Sequence, residues 1–305
     1  TEAGLPDGVV NVVTGGPQTG AALCAHPDIH YIDLTGGTTT GRKVAAVAGE
    51  RLVQTTMELG GKTPVLVCQD ADLDGAIAGG LFSAFVASGQ TCVSGARFIV
   101  HRDIYDAFVT GIAARADAIT LGDPMADTTQ IGPVISKASQ DRCKRMIATA
   151  KAGGAVQVAG ASDPDLPAPF DQGFYIRPTV FKDVRPEQEL FLEEVFGPVI
   201  SITPFDTEEE ALALANTGTF GLGVSIWSRD IARAHRLSLG IRGGVVWLND
   251  HHRNDPRSVW GGVRDSGFGK ENGWDALKAY MTKKSVIVRT APGHDDWFAG
   301  SNRYG

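Results

Sequence analysis

Two side chains in the first third of the sequence do chemistry when they are held close together. One is Cys92, in the run FVASGQTCVSGAR (85–97); the other is Glu58, in MELGGK (57–62). Cys92 is either a reactive thiol on a tight glycine turn or a small hydrophobe packed where a helix ends, and free cysteine is among the most buried residue types. A reactive thiol acts as the thiolate, so that reading needs surroundings that lower its pKa or a base that takes its proton. Glu58, just before a diglycine, is either a general base or an acid solvated at the end of a strand. EEVFGPV (193–199) sets Glu193 and Glu194 against Phe196 and a Gly-Pro turn, and SGFGKENG (266–273) is a loop punctuated by glycines. Gly36 and Gly37 precede a helical pattern, where free N–H groups and the helix dipole suit a pyrophosphate; the alternative is an ordinary strand-to-helix turn.

His251 and His252, flanked by Asp250 and Asp255, have metal-binding residue types. Neighbouring side chains on an extended chain point in opposite directions and chelate poorly, so no metal is expected and the pair is placed in a loop near a substrate entrance. Trp260, Trp247 and Phe85 either line an apolar or aromatic pocket or fill the core.

The elements that must position these residues alternate. Strand patterns occur at GVVNVVTG (8–15), IHYIDLTGG (29–37), TPVLVCQD (63–70) and RFIVHRD (97–103), and later in YIRPTVFKDV, PVISITPF, GVSIWS and GVVWLND. Helical spacing is present at 38–52, at 71–89 with Asp72 and Asp74 in its first turn, in IYDAFVTGIAARADAI and SQDRCKRMIATAKAGG, and at 207–216 and 230–238. This alternation predicts an α/β fold with a largely parallel sheet. KSVIVRT (284–290) reads as a late isolated strand, and the tail from Ala291 has no periodicity and is expected to be mobile.

Composition narrows the function classes. The 305 residues carry a formal net charge of −7 with no long basic block, which argues against nucleic acid as a partner. Four cysteines without CxxC spacing do not make a disulfide framework and suit a reducing, cytoplasmic compartment. No apolar run reaches the ~18 residues that a membrane helix needs. The opening TEAGLPDGVVNVV lacks Met and runs straight into a strand pattern, as expected of a chain cut from something longer.

In combination these motifs resemble the aldehyde dehydrogenase superfamily, from residue 2 to about 290. The ELGGK and GQTC segments match the family's glutamate and cysteine signatures, with the family's spacing of 34 residues (92 − 58). LTGGTTTGR stands where the family has its nucleotide loop, EEVFGPV matches the segment that holds the nicotinamide ribose, and the run from Asn249 to Gly273 resembles the loop that closes over substrate.

The resemblance implies oxidation of a small-molecule aldehyde to a carboxylic acid with NAD, or NADP. Cys92 would be the nucleophile and Glu58 the base that activates water on the thioester. Gly36 and Gly37 would hold the pyrophosphate, Glu194 the ribose hydroxyls, and Phe196 would pack by the nicotinamide. Lys62 is carried by the signature, although a surface lysine at a turn accounts for it equally well. Cys24, Cys68 and Cys143 are left to packing.

It also implies an N-terminally truncated member. Residues 1–62 would be the remnant of a Rossmann-like nucleotide-binding domain, 63–265 the catalytic domain, and 266–305 a C-terminal return whose strand serves a homodimer or homotetramer. Gly37 replaces a common serine and Ala87 a common asparagine. The upstream asparagine of the oxyanion hole and the upstream lysine on the adenosine ribose have no counterpart here. Two rival readings are an acylating relative that passes the acyl group to coenzyme A, which Glu58 opposes, and a non-catalytic scaffold of the same fold.

Overall fold

The computed structural model describes residues 2–162, 164–290, 292–293 and 298. In chain order the elements are α1 (Pro17–Ala25), β1 (Tyr31–Thr35), α2 (Thr38–Glu50), β2 (Gln54–Glu58), β3 (Thr63–Val67), α3 (Leu73–Phe85), β4 (Gly95–His101), α4 (Arg102–Asp117) and α5 (Lys137–Ala152). They continue with β5 (Val156–Ala159), β6 (Thr179–Lys182), α6 (Glu189–Leu192), β7 (Val199–Phe205), α7 (Glu208–Ala215), β8 (Gly223–Trp227), α8 (Ile231–Gly240), β9 (Val245–Leu248), β10 (Gly267–Phe268) and α9 (Gly273–Ala279).

The expected α/β architecture is present. Seven strands form one sheet in the order β5-β6-β7-β4-β3-β8-β9, parallel except where β5 meets β6. Every residue of β3 and β8 is buried, as central parallel strands covered on both faces require. Helices cover the sheet: Phe85, Phe98, Phe108 and Ile112 pack between α3, α4 and the strands on one face, and Phe181, Phe191, Met146 and Leu190 fill the other. Helix starts carry their own signals. Thr207 accepts from the Glu210 N–H ahead of three first-turn glutamates, and Asp230 accepts from the N–H groups of Ala232 and Arg233.

A second, three-stranded sheet runs β1-β2-β10, with β1 and β2 parallel and β10 antiparallel to β2. The C-terminal stretch therefore returns to the strand that ends in Glu58, where Gly267 pairs with it. A Cβ at Gly267, where φ is +112°, would fall 1.8 Å from the Met57 carbonyl oxygen, so only glycine lets the two strands meet there. The sheets are joined by four residues, Leu59 to Lys62.

Two expected strands are corrected. GVVNVVTG forms none: its valines are exposed, and no segment among the described residues supplies a ladder. KSVIVRT likewise forms no strand among the described residues, and Val286, Ile287 and Val288 face outward. The expectation for the tail falls almost wholly outside the described residues. Among the described residues no helix is long and apolar enough to cross a membrane.

Candidate active site

Glu58 is the last residue of β2, where a parallel sheet presents its side chains to a ligand crevice. It is 3% exposed, and neither carboxylate oxygen has a hydrogen-bond partner. Burial pushes its pKa up to about 7, the negative charge of Glu271 adds to the rise, and Lys270 opposes it. The Trp260 indole approaches the carboxylate without completing a hydrogen bond. Glu58 is thus a shielded acid poised near neutrality and not the solvated strand-end acid that residue type alone suggests.

Cys92 lies three residues before β4. The approach to it is unusual: after α3 the chain enters a 3-10 turn in which Ala87, Ser88 and Gly89 all have positive φ, of 50°, 57° and 69°. Such a run aims the following residues sharply, at a cost for Ala87 and Ser88. Gly89 sits hard against Gly197, where a Cβ would meet the carbonyl oxygen at 2.5 Å. The Cys92 side chain is half-buried. Burial raises its pKa first, then the charges of Glu58 and Glu194; the backbone N–H groups of Cys92 and Val93 face the sulfur and act the other way. Burial pushes Cys68 up to about 12 and Cys143 up to about 11, which fits packed cysteines.

The four-residue link ties these groups together. The Gly61 N–H donates to Glu194 Oε1 at 2.8 Å. A Cβ at Gly60 would lie 2.6 Å from Glu194 Oε2, and one at Gly61 would lie 2.3 Å from the Cys92 carbonyl oxygen. At the diglycine, backbone, carboxylate and thiol loop come so close that both positions exclude side chains. The structure thus brings Glu58, Cys92 and Glu194 together from three distant stretches. Burial raises the Glu194 pKa, and the Gly61 hydrogen bond and Lys62 oppose that rise.

Gly36 and Gly37 are exposed at the start of α2. Gly37 caps the helix without any side-chain bond, so the first N–H groups are free, and a Cβ there would meet nothing within 4 Å. The Gly36 N–H binds the Glu58 carbonyl at 2.9 Å, and Gly41 packs on Leu59, so this loop and the acid share one support. Phe196 is half-buried with φ 54°, two residues beyond Glu194.

Several readings of single residues change. Lys62 is 3% exposed, with no partner for its ammonium, and burial followed by the Arg97 charge lowers its pKa to about 7; it is no surface lysine. Phe85 belongs to the core beside Phe98, while Phe82, one turn earlier, is the exposed ring that meets His252. His251 is buried and His252 half-buried, each tied to a residue next to Cys92. Among the described residues no cluster of three or more metal-binding side chains occurs. The sequence reading missed Glu271 and Lys270, although both lie in the quoted SGFGKENG loop. Nothing in their types marked them as neighbours of Glu58.

The chain that brings together a shielded carboxylate, a half-buried thiol and a backbone-held second carboxylate resembles known proteins along most of its length. The sequence model of the aldehyde dehydrogenase family covers residues 1–286, and the chain belongs to that family. It is 44% identical over 287 residues to a betaine aldehyde dehydrogenase of Sinorhizobium fredii, covering 94% of this chain and 58% of the relative. Among solved structures, a betaine aldehyde dehydrogenase of Staphylococcus aureus in complex with NAD+ superposes with a TM-score of 0.93 at 33% identity, over 98% of this chain and 61% of that one. An aldehyde dehydrogenase from Bacillus cereus with NAD+ gives 0.91 at 37% identity, over 95% and 58%. The chain therefore spans about three fifths of the length of these relatives.

Proposed function

We propose that the chain carries the chemical half of an NAD+-dependent aldehyde dehydrogenase, which converts an aldehyde and water to a carboxylic acid. The observation that carries this reading is the Glu58–Cys92 pair: an unpartnered buried carboxyl with a pKa of about 7 whose charge acts on a half-buried thiol. Both groups are hard to ionise together, so a proton leaving one favours its retention on the other.

In this mechanism the Cys92 sulfur, having lost its proton, forms a bond to the aldehyde carbon, and the carbonyl oxygen takes the negative charge. The Cys92 backbone N–H is the donor that meets this oxyanion. NAD+, when bound, would supply the acceptor for the hydride, and loss of that hydride would leave a thioester on Cys92. Glu58 then takes a proton from a water molecule as the water oxygen attacks the thioester carbon; the C–S bond breaks, the sulfur leaves as thiolate, and the proton held by Glu58 passes to it to restore the thiol. A carboxyl with a pKa near 7 suits that step, being substantially ionised at neutral pH yet basic enough to hold the proton.

The residues present fit the cofactor. The uncapped start of α2 at Gly36 and Gly37 suits the pyrophosphate, Glu194 offers two acceptor oxygens to ribose hydroxyls with one already held by Gly61, and Phe196 would pack on the nicotinamide. A division at residue 62, between the sheet that carries Glu58 and the larger sheet, is part of this proposal. So is assembly of two or four copies through the outward-facing 284–290 segment.

The test uses the complete gene product. Cys92→Ala should fold and produce no NADH. Glu58→Gln should release one burst of NADH per site and then hold an acyl adduct on Cys92, visible by intact mass. Wild-type turnover in folded Cys92→Ala, or steady turnover in Glu58→Gln with no adduct, would overturn the assignment.

A further inference from the structure

We infer that Lys62 is a positioning residue for the cofactor: its ammonium, shut inside the protein, is the counter-charge that keeps the Glu194 carboxylate ionised to accept from the ribose hydroxyls of NAD+. The inference rests on the reading of Glu194 as the acid that holds the ribose.

Lysine is almost never fully buried unless it is paired, because its charge is costly away from water. Lys62 is 3% exposed, its Nζ is closed off from solvent, and the ammonium finds no hydrogen-bond partner among the described residues. It precedes β3, in which every residue is buried, so its backbone is anchored to a central strand. Three charges act on it: Arg97 repels it most strongly, and Glu194 and then Glu193 attract it. Arg97 is itself occupied. Its Nη1 donates to the Thr217 carbonyl at 2.7 Å and its Nη2 to the Ala215 carbonyl at 3.0 Å, and the guanidinium lies over the Phe191 ring at 4.7 Å; only Nε is left over. Glu193 is exposed, so water screens its charge. Glu194 is the carboxylate left for the ammonium to act on.

From the side of Glu194, three consecutive residues converge on one carboxylate. Gly60 lies so close that a Cβ there would fall 2.6 Å from Oε2, and the Gly61 N–H donates to Oε1 at 2.8 Å. Lys62 adds charge. Burial raises the Glu194 pKa; the Gly61 hydrogen bond opposes that most, then Lys62, then Arg142 of α5, while Glu193 adds to the rise. Arg142 is exposed and screened, whereas Lys62 acts through the protein interior, where a charge is felt more strongly. A single hydrogen bond aims the carboxylate, and the buried cation favours its charged form.

The counter-charge is present where it is needed. Burial, then the Arg97 charge, brings the Lys62 pKa to about 7, so the ammonium is charged in the acid range where Glu194 would otherwise take up a proton.

The test measures NAD+ binding by calorimetry between about pH 5 and pH 7, with the complete gene product as wild type, Lys62→Met, Glu194→Gln and the double variant. Wild-type affinity should fall as pH drops and Glu194 becomes protonated. Removing a cation raises a carboxyl pKa, so Lys62→Met should move that fall to higher pH by about one unit, which lowers affinity up to about tenfold at a fixed acid pH. The double variant should bind as Glu194→Gln alone does. A Lys62→Met profile that overlays the wild type would overturn the inference, and so would a loss equal at every pH or equal with and without Glu194, as a merely structural lysine would give. Lys62→Gln, also neutral, supplies the same comparison where the methionine variant does not fold. If Glu194→Gln binds NAD+ as the wild type does at every pH, the ribose reading fails instead. Infrared difference titration of the Glu194 carboxyl, each protein against its Glu194→Gln counterpart, then decides Lys62 separately: an upward shift in Lys62→Met supports it, and an unchanged titration overturns it.

Discussion

Replacing Glu58 with glutamine should stabilise the folded chain, by an amount that grows with pH. In the folded state the carboxyl titrates near 7 against an ordinary value of 4.5, because burial disfavours its charged form. Such a raised acid pKa costs nothing while both states are protonated. As pH climbs through 4.5 the unfolded chain ionises first and the folded state falls behind; once pH passes 7 the deficit is constant. Two and a half pH units correspond to about 3 kcal/mol. Glutamine has nearly the same shape and no charge, so it escapes the deficit at every pH. Urea unfolding of the wild type and Glu58→Gln should differ by under about 1 kcal/mol near pH 5 and by about 3 kcal/mol near pH 8. The measurement needs no cofactor and no turnover. A difference that stays constant across that range, or a wild type that is the more stable at the alkaline end, would refute the picture of an unpartnered buried carboxylate.

Gly60→Ala should displace the Glu194 carboxylate, since the new methyl carbon falls 2.6 Å from Oε2. The expected result is NAD+ affinity lower by roughly tenfold or more, the scale of a lost charge-assisted hydrogen bond, with iodoacetamide labelling of Cys92 little changed; calorimetry and peptide mass read the two effects. Ala87→Gly should relieve the left-handed strain at φ 50° and stabilise the chain by up to about 1 kcal/mol after the entropy of glycine is counted, which a melting curve would register as an unchanged or higher midpoint.

Much of the large sheet was legible because its strands are short apolar runs bounded by turn residues and its helices keep a 3.6-residue period. β3, β7 and β8 fall within the predicted stretches, and β4 begins two residues before its own. GVVNVVTG and KSVIVRT misled for one shared reason: β-rich composition marks a segment able to pair, and pairing needs a neighbour that sequence pattern does not supply. Phe82 and Phe85 differ by three positions on one helix, so spacing could not say which faces the core. For Lys62 the surface reading weighed equally with the signature because lysine is almost never fully buried. At the site, the motifs made Cys92, Glu58 and Glu194 visible as individuals. Their supports were not visible, since the Gly61–Glu194 bond spans 133 residues and the His251–Val93 bond 158.

The glycine packing around the link from Leu59 to Lys62 has a consequence for what this scaffold could become. Gly60, Gly61, Gly89 and Gly267 each press on backbone or on a carboxylate, so a library of substitutions at these four positions should be almost wholly depleted of active clones. The loop from Asn249 to Trp260 carries rings and paired charges, and through His251 and His252 it also braces the residues on either side of Cys92. A change at exposed Arg257 leaves the Glu58–Gly61–Glu194 scaffold untouched, whereas one at Trp260 alters the indole beside the Glu58 carboxylate. Substitutions confined to the exposed positions of that loop, away from Trp260, His251 and His252, should therefore leave the Glu58 and Cys92 environments as they are.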